Sequence, residues 1–461
     1  MKYFLAVFSI LWLTACGSNK KAAREEAEKQ AAIEAMAPAW TRSKPIEGSY
    51  YHGIGIAVKS GPDYLSTAKN NALSDLASEI SVKISSSSML YQVEQDDRFR
   101  EDFRSRIQTK SLEAVEGYEL IDSYEDGRYY YVYYRLSKAK HAALKEEKKQ
   151  SALAKSKDLQ LEAEAMIASG DYAMGIITHI KAIETIKGYL GETLQTQYKG
   201  ATTYYGNTLA QFLRSTLSEI KIIPNKADQV VKRGQYIDFR TASFTIADES
   251  LEAIESIPIY FYYSGGRLKD NSKKSNLKGQ VGMELGKVDS KNPRETLTAY
   301  LDLIVIVKEA TEDPLISQLV SKISVPSGQM VIEILSPTVY FSSNEKVNGQ
   351  KSKTEYLTNA LKSGFIKEGI SIGNSKKGAD YRVEIESNAN NGSNTGKFYS
   401  STLSSTVRIY DQKGSLVYSK QVQDINGVQL SYEQAAIDAY QKGAKEYSRA
   451  VFLDIKRKLF E

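Results

Sequence analysis

The sequence predicts a multi-domain α+β protein, and three of its features carry that expectation. Its 461 residues suffice for about three domains of ~150 residues each. Apolar residues follow a helical step over 64–80 and from 159 to 186, then turn to alternation from 221 to 307. Tyrosines number 31 against 13 phenylalanines, and a ring with one polar end suits half-buried strands. In order, the chain reads as a signal segment over 1–15, a tether over 16–38 and a small α/β sandwich over 39–137. A helical hairpin region over 138–220, a β-sandwich over 221–310, a connector over 311–330 and a C-terminal α/β domain over 331–461 follow.

The chain opens with Lys2, an apolar run over 3–13, and then Leu13-Thr14-Ala15-Cys16-Gly17. A short apolar run behind a positive charge is a secretory signal. An uncleaved spanning anchor would need about 20 apolar residues, more than this run holds. The stretch resembles the processing box of bacterial lipoproteins. The resemblance implies cleavage before Cys16, acyl chains including palmitate at Cys16, and attachment to a membrane without spanning it, since more than one acyl chain anchors stably. It also implies a place on the outer membrane, facing the periplasm.

Composition excludes several chemistries. With Cys16 the sole cysteine, no disulfide, thiolate metal site or cysteine nucleophile is expected. His52, His141 and His179 lack metal-ligand spacing. Charged residues make up 25%, with a net charge of +5 and both signs interspersed, so no footprint for nucleic acid is present. No G-x-S-x-G elbow occurs. The paired carboxylates Glu101-Asp102 and Glu146-Glu147 sit in charge-mixed helices and read as solvated. Accordingly no cofactor, no metal and no catalytic residue is expected, and the chain reads as a non-enzyme.

Residues 18–36 are rich in alanine, lysine and glutamate and read as a solvated helix or flexible tether, ended by Pro38. In the first domain, Trp40 precedes a strand over 50–58, and Gly61-Pro62 starts a helix over 64–80. That helix carries Ala68, Ala72, Leu76 and Ile80 at steps of four, an apolar stripe that must pack on a sheet. The sheet is expected to continue over 81–93, with the serines at 85–88 facing solvent, and to resume over 118–124 and 129–136 around a turn at Gly127. A charged helix over 96–110 interrupts it. Trp40, Gly53-Ile54-Gly55-Ile56-Ala57, the alanine-rich helix and the tyrosine hairpin together resemble the Lpp-twenty lipoprotein family and the N-terminal domain of a flagellar assembly protein. The resemblance implies a cell-envelope protein with no known catalytic site. Gly53 and Gly55 allow two readings, a phosphate-cradling turn or a close approach of strand and helix. A phosphate turn would place them between strand and helix with a third glycine following, whereas Ile54 and Ile56 continue an apolar strand.

The stretch 138–170 reads as one long helix, turned by Gly170-Asp171-Tyr172 into a second over 173–186, with a third over 193–219 closing the bundle. Ala165, Gly170, Asp171, Tyr172 and Ala182 resemble one tetratricopeptide helix pair, several of which are needed for an array. Period-two segments over 221–224, 229–232, 237–246, 257–263, 280–285 and 296–307 then argue a β-sandwich. Its Ile257-Pro258-Ile259-Tyr260-Phe261-Tyr262-Tyr263-Ser264-Gly265-Gly266 stretch and the segment 278–285 resemble bacterial immunoglobulin-like domains, which implies a spacer or protein-binding module.

In the last domain a strand over 331–341, a polar loop over 342–353 and a helix over 355–368 are expected. Strands over 381–387, 398–410 and 416–423 and a closing helix over 432–460 complete it, with the Asn/Gly/Ser-rich stretch 388–396 as a flexible hairpin tip. This order resembles that of periplasmic translocation proteins and of lipoproteins that activate peptidoglycan synthases. The functional expectation is a lipid-anchored envelope protein that scaffolds or assembles other envelope proteins, some of them peptidoglycan-associated, through protein contacts. The alternative is a regulator of a peptidoglycan-synthesising enzyme acting through the last domain.

Overall fold

A computed structural model describes residues 24, 25, 28, 29, 32, 36–80, 85–90, 97–113 and 116–460. The signal segment, Cys16 and most of the tether lie outside the described residues. Mixed helices and several sheets confirm a multi-domain α+β chain. It divides into two compact units, the first made of Met1–Glu162, Thr178–Phe212 and Ala310–Ile323, the second of Ala163–Ile177, Leu213–Glu309 and Ser324–Glu461.

In the first unit, β1 (Tyr50–Val58) is followed by α1 (Tyr64–Ser78), then by a helix over Asp97–Glu113 and the hairpin of β2 (Glu119–Glu125) and β3 (Tyr129–Ser137). The sheet order is β1-β3-β2, with both pairs antiparallel. Ala68, Ala72 and Leu76 of α1 are buried against it as their spacing requires, while Leu65 stays exposed. Gly53 and Gly55 lie in β1 directly beneath that helix. A Cβ at Gly55 would stand 1.9 Å from the Ala68 carbonyl oxygen, and one at Gly53 would stand 2.2 Å from that of Ala72. The close-approach reading of these glycines therefore holds, and the phosphate-turn reading does not.

The edge of β1 is occupied by side chains of α1 and of Glu79 at its C-cap. Ile54 N–H donates to Asp75 Oδ2 at 2.9 Å, His52 N–H to Glu79 Oε2 at 3.2 Å, and Asn71 Nδ2 donates to the Ile56 carbonyl at 2.9 Å. Lys44 bridges Asp75 and Glu79 at 2.9 and 2.8 Å. Backbone groups that would otherwise recruit another strand are thus already satisfied.

Two expectations in this unit fail. Residues 85–88 form a turn rather than strand, with Ser88 N–H donating to the Ser85 carbonyl and Ser85 Oγ 2.7 Å from Thr193 Oγ1. The helix over 193–219 is instead a hairpin, Gln195–Tyr198 with Ala201–Tyr204, followed by a helix over Tyr205–Glu219. Lys199 and Gly200 both take positive φ at that turn, the two-residue conformation that matches strand twist. The long helix Lys138–Ala168 and the helix Tyr172–Thr185 form as read.

In the second unit, Gly170 at φ +90° ends the long helix and Asp171 Oδ1 accepts from Met174 N–H, opening the next one. A five-stranded sheet and a three-stranded sheet then meet through Phe244 and Phe261, whose rings are 5.8 Å apart. The expected strand over 296–307 stops at Leu301, because Asp302 opens a helix over Leu303–Ala310 by accepting from Val305 N–H. That over 237–246 is broken at Asp238, whose carboxylate accepts from Arg240 and Thr241 N–H in a turn. The expected strand over 331–341 is two strands. Ser327–Leu335 joins the five-stranded sheet, antiparallel to Arg294–Leu301 and parallel to Asp228–Lys232, and β4 (Thr338–Val347) begins the next sheet.

That sheet contains β4, β5 (Tyr381–Asn394), β6 (Tyr399–Asp411) and β7 (Leu416–Gln429) in this order, with Gln350–Lys351 and Ser371–Gly373 pairing on β4. The helix Tyr356–Lys367, α2 (Tyr432–Glu446) and α3 (Phe452–Leu459) supply its buried side through Leu357, Leu361, Phe365, Ala436, Tyr440, Phe452 and Ile455. The closing helix is thus interrupted by a π-helical turn over Tyr447–Val451, where the buried Tyr447 hydroxyl donates to Ser405 Oγ at 3.0 Å. The 342–353 loop is absorbed into β4 and its short partner strand.

Candidate functional site

In the first sheet, directly paired residues share a face, and the face away from α1 gathers Ile54, Ile56 and Val58 from β1, Tyr129, Tyr131 and Tyr133 from β3, and Asp122 and Tyr124 from β2. One end is covered. Trp40 lies 5.7 Å from Tyr133 ring to ring and donates its indole N–H to Asp122 Oδ2 at 2.9 Å. His52 is buried beside them, with Nδ1 2.8 Å from the Tyr133 hydroxyl.

The other end is open. Ile56 and Val58 are 44% and 46% exposed, a large fraction for β-branched residues in a strand. Tyr131 contacts Tyr124 and Tyr129 at ring separations of 5.9 and 6.2 Å, which fixes three rings side by side next to the aliphatic pair. Burial, with Asp126 nearby, raises the Tyr131 hydroxyl pKa, so that group stays protonated. The rim carries both signs: Lys59 pairs with Glu125 at 3.2 Å, and Arg128 lies over the Tyr129 ring. The patch is apolar and aromatic at its centre and charged at its edge, the anatomy of a protein contact.

Elsewhere, two buried carboxylates are satisfied by neighbouring donors. Glu345 is buried and accepts from Leu357 and Thr358 N–H at a helix start. Glu295 accepts from Ser264, Ser290 and Asn292. The segment expected as a flexible tip is strand as far as Asn394, and its amides are engaged: Asn388 donates to Asn390, and Asn391 accepts from Asn348 in the turn beside it. Among the described residues no group of His, Cys, Asp and Glu is arranged to hold a metal ion. His141 stands against Tyr51, and His179 is buried against Gln160 and Phe212, so the histidines serve separate local contacts. Cys16, the attachment residue read from sequence, lies outside the described residues. The sheet-face patch escaped the sequence reading, although the alternation of Ile54, Ile56 and Val58 with Gly53, Gly55 and Ala57 was its signal.

No family model matches the chain, and no curated protein sequence matches it. Solved structures resemble part of it. A minor lipoprotein from Acinetobacter baumannii is 14% identical over 26% of this chain and 94% of its own, with a TM-score of 0.21. Uncharacterized lipoprotein B from Nitrosomonas europaea is 12% identical over 27% of this chain and 83% of its own, with a TM-score of 0.19. Lipoprotein GNA1162 from Neisseria meningitidis is 10% identical over 26% of this chain and 99% of its own, with a TM-score of 0.18. Among the described residues, no helix is long and apolar enough to cross a membrane.

Proposed function

We propose that the chain is a lipid-anchored cell-envelope protein, held by Cys16 at the outer membrane on its periplasmic side, that assembles envelope proteins by contact and catalyses no reaction. The observation that supports this reading is the open Ile56, Val58, Tyr124, Tyr129 and Tyr131 face of the first domain. Its occupant in this reading is a protein segment presenting apolar side chains. A rim of mixed charge offers little attraction to anionic headgroups, whereas tyrosines at the centre of a patch are characteristic anchors for protein partners. The two-sheet region around Phe244 and Phe261 is read as an immunoglobulin-like spacer.

The test has two arms. Cys16→Ala should move the protein from the membrane fraction to the soluble fraction, and retention after a salt wash would refute lipid anchoring. Crosslinking in intact cells, followed by purification through the C-terminus, should recover an envelope complex from wild type and lose it from Ile56→Glu/Val58→Glu. Recovery of a peptidoglycan synthase that survives those two changes would favour instead a regulator acting through the last domain.

A further inference from the structure

The two edges of the first sheet differ. At β1, Asp75, Glu79 and Asn71 already bind the outward backbone of Ile54, His52 and Ile56. The other edge is β2. Asp126 N–H donates to the Tyr129 carbonyl at 3.0 Å and closes the turn into β3. Residues of an antiparallel ladder alternate between bonding their partner and pointing away from it. Counting back from Asp126, the backbone of Tyr124 and Asp122 faces β3, and that of Ser123 and Glu125 faces outward. The Ser123 N–H agrees with that direction, since it meets the carboxylate of its own neighbour, Asp122 Oδ1 at 2.9 Å. Among the described residues, no side chain from another element binds the outward backbone of Ser123 or Glu125.

Both sides of this edge are apolar. Leu120 pairs with Tyr134, which pairs with Gly53, so it stands on the α1 side, where it is 55% exposed. Tyr124 stands on the opposite side against Tyr131, continuous with the open face. A row of outward N–H and C=O groups between two apolar surfaces matches an extended backbone, whose own groups are unpaired and whose side chains alternate to either side. A second copy of β2 does not fit. Glu119, Asp122 and Glu125 recur at steps of three, so an antiparallel copy centred on Asp122 opposes Glu119 to Glu125, and a shift by three opposes Asp122 to either. Like charges directly opposite destabilise a strand pair.

We propose that β2 takes up an extended segment of a different protein as a fourth strand, with apolar side chains at alternate positions lying over Tyr124 and Tyr131. The inference rests on the protein-contact reading of the face and names the backbone form of the partner. The test uses the full chain bearing Cys16→Ala and a blocked, dye-labelled hexapeptide alternating valine and lysine, a usual strand length. Anisotropy should show saturable binding, and hydrogen exchange within residues 119–125 should slow when the peptide is added. N-methylation of one alternate set of peptide residues should weaken binding about tenfold or more and that of the other set far less, because only one set points its N–H groups at the edge. Ser123→Pro removes a donor that the sheet's own ladder does not use and should weaken binding about fivefold. The peptide arm leaves the protein unaltered, so it stands even if Ser123→Pro fails to fold. Ile56→Glu/Val58→Glu should bind the peptide as wild type does, since β3 separates β1 from β2; in intact cells both that variant and Ser123→Pro should lose the envelope complex. A folded Ser123→Pro that keeps the complex would overturn the edge and leave the face reading standing. Absence of saturable binding, or equal binding after N-methylation of either set, would also overturn it.

Discussion

The sheet of the first domain and the sheet of the last rest on their helices through the same contact, Gly55 beneath Ala68 and Ala72 in one and Gly427 beneath Ala435 and Ala439 in the other. A Cβ at Gly427 would stand 2.0 Å from the Ala435 carbonyl oxygen, against 1.9 Å at Gly55 from that of Ala68. In each case the strand is at the sheet's edge and the helix follows it directly in sequence. The residue before the second alanine binds the strand backbone one position after the glycine: Asn71 at the Ile56 carbonyl, Asp438 at Val428 N–H at 3.1 Å. The residue three places after that alanine binds one position before the glycine: Asp75 at Ile54 N–H, Lys442 at the Asn426 carbonyl at 2.9 Å.

What differs is the opposite face. The first sheet exposes Ile56, Val58 and tyrosines, whereas the last presents Glu384, Glu386, Asn388 and Asn390 beside Thr402, Ser404, Thr406 and Arg408, with Arg408 paired to Glu386 at 3.1 Å. One packing device therefore supports two surfaces of opposite character, and only the apolar one has reason to leave water.

The largest effect should come from filling the contact. Gly55→Val and Gly427→Val each drive a branched side chain into a helix backbone and should cost about 3 kcal/mol or more, toward the upper end of overpacking penalties. Thermal melts of the two variants should show loss in different units. An unshifted melt for either would separate the two devices.

A smaller effect attaches to the edge. Asp75→Ala and Asp438→Ala should each cost about 1 kcal/mol, the usual worth of one hydrogen bond, and should raise self-association by freeing strand-edge groups. Light scattering at rising concentration reads the second consequence, and a monodisperse variant would show that the edge needs no cap.

The smallest effect is one of pH. The hydrogen bond from Lys442, helped by Val428 N–H, holds the Asp438 carboxyl below its ordinary value against the opposing pull of burial. A depressed folded-state pKa stabilises above the unfolded pKa of about 3.9 and is lost as pH falls below it. The stability difference between wild type and Asp438→Asn should be level from about pH 7 to 5 and shrink below about pH 4. A difference that grows on acidification would reverse the assigned sign.

Much of the first domain was legible because its signals are local. Alanines at steps of four and glycines alternating with isoleucines state both a helix face and the strand beneath it. Its open face was not read, since alternation alone does not tell which side remains bare. The last domain hid its strands for another reason: Asn388 to Asn394 has turn composition, and pairing with β4 and β6 overrides it. The run Leu303 to Val307 deceived in the opposite way. Its β-branched residues favour strand, yet the cap at Asp302 commits it to helix.

In the proposed function the first domain's apolar face, and not the polar face of the last, meets a protein partner. A photoreactive amino acid placed at Ile56 in one strain and at Ser404 in another, irradiated in intact cells, tests it directly. A discrete crosslinked protein is expected from position 56 and none from position 404. Crosslinks from 404 alone, or from neither position while the protein remains folded and abundant, would contradict it.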